Sequence, residues 1–295
     1  MADQPNPVTT PASAAAVAAA PLAGFPERGV PVFSGFNRLG LWTLYMKEVR
    51  RFFKVQTQTI WAPAMTTLLY LMIFTVAMGR AGREVLGVPF ASFIAPGLIV
   101  MGMVSNAFAN TSFNFLAGKI QGTIVDYLMP PLSNVELIIG LIGAAVTRAV
   151  LVGCAIALAM LLWPGVTLYI SHPWAIVYFG LVGSTLLAII GLITSLWAEK
   201  FDHAAMVTNF VITPLTMLSG TFYVIHNLSP AFQAVSRVNP FFYVISGFRF
   251  GFLGQSDIGA TNAAVFNGAL YLGVLTLGMG WVLYALLKSG WKLKS

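Results

Sequence analysis

Residues 149–198 read AVLVGCAIALAMLLWPGVTLYISHPWAIVYFGLVGSTLLAIIGLITSLWA and contain no Asp, Glu, Lys or Arg. A membrane crossing takes about 20 mainly apolar residues, so this stretch is long enough for two. Trp163–Pro164 and His172–Pro173 punctuate its middle, where a turn is expected. Two apolar helices joined by a short turn place the chain in the all-α polytopic membrane class.

The rest of the sequence extends that reading. Residues 55–79, 85–118, 203–236 and 258–287 are also free of charge. Together these gaps predict six spans, at about 58–78, 93–115, 137–162, 174–197, 204–223 and 264–287. Between the fifth and sixth, 224–262 mixes Asn227, Pro230, Arg237, Asn239–Pro240 and Arg249 with apolar stretches such as Phe241–Ile245. That mixture predicts a re-entrant or interfacial pair of short helices. Composition agrees, since only 8% of the 295 residues are charged and 58% are hydrophobic. An average soluble domain is about 25% charged, so a soluble globular enzyme is excluded.

The charges also orient the spans. With the N-terminus inside, the inner segments hold Arg28, Arg38, Lys47, Arg50, Arg51, Lys54, Lys119, Lys200, Lys288, Lys292 and Lys294. The outer ones hold Arg80, Arg83, Arg237 and Arg249. This asymmetry predicts both termini in the cytoplasm and explains the net charge of +7 without nucleic-acid binding. Residues 1–35 are rich in Ala and Pro and predict a disordered cytoplasmic tail, leaving 36–295 as the membrane domain. Residues 38–54 predict an interfacial helix. Its apolar face would carry Trp42, Tyr45, Met46, Val49, Phe52 and Phe53, and its opposite face Lys47, Arg50, Arg51 and Lys54.

Several chemistries find no residues to support them. No GxxxxGK[ST] is present; Phe113 stands where the first glycine ahead of Gly118–Lys119 would be needed. HExxH, CxxC and GxSxG are missing, and Cys154 is the only cysteine. Asp126, Glu136, Glu199, Asp202 and Asp257 fall in loops or at span ends. Ion-coupled carriers place carboxylates at depth, so a secondary carrier or channel is the weaker alternative, and a membrane-embedded enzyme weaker still. Arg148 alone lies deep within a span, where it must face the protein interior, a water-filled path or a subunit interface. Thr147 and nearby carbonyls are its candidate partners. Between the second and third spans, residues 119–128 predict one short helix with Ile120, Ile124, Tyr127 and Leu128 on a face, stopped by Pro130–Pro131.

In these residues the chain resembles the membrane subunits of type-2 ABC exporters, the drug-resistance, polysaccharide and nodulation-factor permeases. The resemblance is carried by Lys47–Glu48–Val49–Arg50–Arg51, Gln58–Thr59, Pro63 and Phe93–Ile94–Ala95–Pro96–Gly97–Leu98. It continues through Pro214, Leu218–Ser219–Gly220–Thr221–Phe222–Tyr223, Asn239–Pro240, Tyr243 and Gly247–Phe248–Arg249–Phe250–Gly251. It covers about residues 38–290; the long N-terminal tail departs from it. The resemblance implies a bacterial inner-membrane permease that forms a homodimer and exports by alternating access. Lys47, Glu48, Arg50 and Arg51 then lie on a connecting helix, and Lys119, Ile120, Ile124, Asp126, Tyr127 and Leu128 on a coupling helix. Asn239, Pro240 and Arg249 lie in the outer re-entrant pair. Two copies of a separate ATPase subunit would bind ATP and Mg, so this chain needs no cofactor.

Overall fold

The computed structural model describes residues 35–78, 84–85, 87–259 and 261–292. The tail expected at 1–35 lies outside them except for Gly35, as do Arg28, Arg80, Arg83 and Lys294 from the charge count. Among the described residues the first helix is α1 (Arg38–Lys54), whose first turn is capped by Asn37: Oδ1 accepts from the Gly40 amide at 2.8 Å. A π-turn (Thr57–Trp61) leads into α2 (Ala62–Met78). A two-residue-per-strand hairpin, β1 (Glu84–Val85) and β2 (Val88–Pro89), precedes α3 (Phe90–Ile120). One turn, α4 (Val125–Leu128), separates α3 from α5 (Asn134–Leu161). Then come α6 (Pro173–Trp197), α7 (Phe201–Val207), a second π-turn (Thr208–Ile212) and α8 (Thr213–Met217). The chain ends with α9 (Pro230–Val238), α10 (Pro240–Leu253) and α11 (Asn262–Ser289).

Among the described residues, five helical runs are long and apolar enough to cross a membrane: 57–77, α3, α5, α6 and α11. They coincide with five expected spans, and α3 runs several residues past its expected limits at both ends. Each π-turn is followed by a proline, Pro63 or Pro214. A proline lacks the N–H and clashes with the carbonyl four residues back, which widens the preceding turn.

The centre of the bundle is α3. In its most apolar stretch 78% of residues are buried, against 17% for the first span and 22% for α11. It packs most extensively on α6 and then on α5. α3 and α6 approach closely at Gly191, where an added Cβ would strike Thr111 and the Phe108 carbonyl. Thr111 also donates to the Ala188 carbonyl across this crossing at 2.8 Å. Small residues at a membrane crossing let two backbones meet, and the hydrogen bond then fixes their register.

The fifth expected span, 204–223, is corrected. Helix runs over 201–217 only, about 25 Å at about 1.5 Å per residue. Beyond it the chain turns through Gly220, at φ +78°. The helix stops early because other side chains take its terminal carbonyls. Asn239 Nδ2 donates to Leu215 O at 2.6 Å, and Ser219 Oγ to Thr216 O. Tyr223 Oη donates to Met217 O at 3.1 Å, and Ser236 Oγ to Leu218 O at 2.9 Å. Arg249 Nη2 donates to Gly220 O at 2.9 Å and to Thr221 O at 3.2 Å. Inside a membrane protein a freed carbonyl must find such a donor.

Filling the α3–α6 crossing tests its part in the bundle. Gly191→Val is expected to cost about 1–3 kcal/mol by overpacking, read as a fall in apparent Tm of the detergent-purified protein. Gly278→Val, at a position with open space beside it, leaves the apparent Tm unchanged.

Candidate functional site

Three polar clusters stand out against the apolar bundle, at the two ends and between them. The first joins α1 to the turn after α3. Glu48 is buried, 3% exposed, and pairs with Arg51 one turn along. The Tyr127 hydroxyl donates to Glu48 Oε1 at 2.8 Å and accepts from Arg51 Nη1 at 3.2 Å. Lys47 Nζ lies over the Tyr127 ring, 4.1 Å from its centroid. Burial first, and then the Glu48 carboxylate, push the Tyr127 phenol up to about 12. It therefore keeps its proton and donates a hydrogen bond to Glu48. α1 is held a second time by Glu136, which is buried and closes a capping box with Ser133 while accepting from the Asn37 amide. Both helices thus begin at one carboxylate, where their positive dipole ends favour negative charge.

One expectation is corrected here. Residues 119–128 do not form one helix: α3 continues to Ile120, Gly122 takes φ +73°, and helix resumes only over Val125–Leu128. On α1, burial picks out only part of the surface. The stripe buried against α5 is Leu44, Glu48 and Phe52, whereas Trp42 and Phe53 are exposed. Gly140 and Gly143 on α5 leave the recess that receives Leu41, Leu44 and Tyr45, so the fit of α5 selects the face.

The expected coupling residues divide between two directions. Ile124 and Tyr127 point into the bundle, and Ile120, Asp126 and Leu128 point out. With Val125 and Met129 they leave an exposed edge around the turn. Lys119 turns back, donating to Leu196 O at 2.7 Å and Ala198 O at 2.9 Å, which caps the end of α6. Lys47 and Arg50 on α1 remain exposed beside this edge.

The second cluster surrounds Arg148 at mid-span. Its Nη1 and Nη2 donate to Asn110 Oδ1 and Asn106 Oδ1, each at 3.2 Å. Asn114 donates to Asn110 at 2.6 Å, so three asparagines spaced four apart on α3 form a ladder facing α5. Thr147, expected beside Arg148, instead bonds Tyr45 Oη at 2.9 Å. At one end of the ladder a void of about 10 Å³ lies between Asn114, Glu48 and Tyr127, room for about one water. At the other end Asn106 lines a cleft of about 340 Å³ between the first span and α3. Gln58, Thr66, Thr67, Tyr70 and Ser105 give that cleft hydroxyl and amide walls.

The third cluster sits at the opposite end of the bundle. Arg249 on α10 is fully buried and pairs with Asp257 at 3.0 Å, also buried. Its guanidinium stacks 4.0 Å from the centroid of Phe93 and donates to the two carbonyls that follow α8. Asn239 caps α10 through the Phe241 amide at 3.0 Å while its Nδ2 holds Leu215 O, and Pro240 supplies the first helical residue. The sequence reading singled out Arg249 and not Asp257, whose amide contact from Ile225 at 3.3 Å completes the cluster. It likewise passed over Asn106, Asn110 and Asn114, although their four-residue spacing is a visible signal.

Comparison with known proteins places these clusters in context. Residues 40–253 match the family described as ABC-2 type transporter. The chain is 35% identical over 240 residues to "Inner membrane transport permease YadH" of Escherichia coli K12, covering 79% of this chain and 92% of that protein. It is 26% identical to "Nodulation protein J" of Rhizobium leguminosarum bv. viciae, over 82% of this chain and 89% of that protein. The Rhizobium meliloti protein of the same name is 25% identical over 73% of this chain and 81% of its own length.

Glu48→Ala and Tyr127→Phe should each destabilise the protein, the second by about 1 kcal/mol for the lost hydrogen bond. Because the two side chains share one network, the double variant should lose less than the sum, with a coupling of about 0.5–3 kcal/mol. Arg249→Ala leaves Asp257 buried without a partner and should cost about 3–5 kcal/mol. Arg249→Lys should not restore stability, since an ammonium lacks the fork that holds Asp257 and two carbonyls together. Apparent Tm in detergent reads all five variants.

Proposed function

The chain belongs to the ABC-2 type transporter family, and from that membership we propose that it is the membrane-spanning half of an ATP-driven exporter. In this reading two copies of the chain pair with two copies of a separate ATPase subunit, which binds ATP and Mg. The assembly sits in a bacterial inner membrane with the α1 end and both termini in the cytoplasm. The carrying observation is the buried Glu48–Tyr127–Arg51 knot. It fastens the interfacial helix to the turn that presents Ile120, Val125, Leu128 and Met129. A push on that edge moves α1, α3 and α5 as one body, which is what a motor outside the membrane requires. ATP does work only by favouring one arrangement over the other.

The cargo is amphipathic, lipid-linked, polysaccharide or drug-like. The cleft beside Asn106 supports this breadth, because its hydroxyls and amides accept neutral polar groups next to apolar walls. Arg148, tethered by Asn110 and by Asn106, which also lines the cleft, serves as a pathway or interface residue. The exposed apolar face of the first span, including Met65, Leu69 and Val76, suits contact with lipid or with a second copy.

Co-expression with a candidate ATPase tests the proposal. The ATPase should co-purify, and its turnover should rise in the presence of the permease. Leu128→Asp with Met129→Asp should abolish both effects without lowering apparent Tm. A chain that transports without any ATPase under a proton or sodium gradient overturns the reading. Arg148→Leu with full transport removes that residue from the pathway.

A further inference from the structure

A second cleft, away from the three polar clusters, lies between α5 and α6 and has a volume of about 340 Å³. Its floor is Met103 from α3 and Phe248 from α10, reached past Gly153 and Gly180. Its mouth is Cys154, Val177 and Leu181, all exposed. No lining side chain carries a charge, a hydroxyl or an amide. We infer that this cleft holds one acyl chain of a bilayer phospholipid.

The chemistry of the walls and the depth of the cleft both point to that occupant. Water does not settle in a cavity lined only by apolar groups, and a polar cargo would lose its hydrogen bonds there. Left empty, the cleft would forfeit the contacts that packing requires. The exposed Trp174 stands at the start of α6, and aromatic residues of this kind mark the membrane–water boundary. Ile176 to Leu181 lie just beyond it, roughly 3–10 Å along the helix at about 1.5 Å per residue. That depth is occupied by lipid tails beneath their headgroups.

Size separates a chain from a helix. A cavity of about 150 Å³ holds one benzene, so this one takes a chain segment of about twice that bulk. A helix from a second copy, about 10 Å across with its side chains, does not enter. Met103, a flexible side chain that fills irregular gaps, lets the floor adapt to chains of different shape. The inference requires only that α3, α5 and α6 span a bilayer, and it stands apart from the export reading.

The test uses the full chain in phosphatidylcholine vesicles containing a phosphatidylcholine with a diazirine midway along one acyl chain. After irradiation, peptide mass spectrometry maps the labelled residues. Label is expected on Met103 or Phe248, which are only 7% and 3% exposed, as well as on exposed Leu158 and Leu161. Ala157→Phe fills the cleft and should abolish the floor label while leaving Leu158 and Leu161 labelled. Val150→Phe serves the same purpose if the first variant does not purify as a single species. Label confined to Leu158 and Leu161 in the unaltered protein overturns the inference. Floor label that persists in a filled variant also overturns it. So does an efficient oxidative disulfide between the Cys154 residues of two chains, which would put a second copy at the mouth.

Discussion

A backbone carbonyl in hydrocarbon has no water to turn to, and each one left unpaired costs several kcal/mol. Much of the polar sequence in this protein answers that constraint. The end of α8 is the clearest place. Over Leu215–Thr221 the backbone leaves helical geometry inside the bundle, and five side chains collect the carbonyls it releases. Three of them, Ser236, Asn239 and Arg249, come from α9, the α9–α10 junction and α10. The re-entrant pair is therefore the cap of the preceding helix as much as an element of its own. Lys119 does the same for the end of α6, and Asn37 and Ser133 serve helix beginnings.

The few charges are used with comparable economy. Glu48, Glu136, Arg249 and Asp257 are all buried, and each has a named partner. Arg148 has no carboxylate partner, and its two terminal nitrogens donate to amide oxygens. By contrast, the Arg249–Asp257 pair has a cation, an anion, a ring and two carbonyls locked together. The bundle thus has one rigid polar pin at the α10 end, and a softer polar ladder running between the knot under α1 and the hydroxyl-lined cleft.

The spans at 58–78, 174–197 and 264–287 lie in charge-free runs of the right length, a local property of sequence, and 137–162 is read across Arg148. The end of the fifth was not legible, since apolar residues continue to Tyr223 while the reason for stopping sits as far away as Arg249. The recess at Gly140 and Gly143 receives Leu41, Leu44 and Tyr45, a fit set by α5 that the pattern of α1 alone does not carry. Of the site, the Glu48–Arg51 spacing and the turn around Tyr127 could be read separately. Their junction could not, because seventy-nine residues separate Glu48 from the hydroxyl it accepts. Arg148 was readable as an anomaly, and the asparagine ladder that resolves it was readable only as a four-residue rhythm on another helix.

The capped end of α8 also bears on how the chain is made. Thr221 leaves the ribosome 28 residues before Arg249. Until that arginine arrives, the carbonyls of Gly220 and Thr221 need water or the wet interior of the insertion machinery. The segment 201–221 must therefore linger at a polar boundary during synthesis and settle into the lipid together with residues 230–257. A chain truncated before Arg249 would leave the carbonyls of Gly220 and Thr221 without their donor.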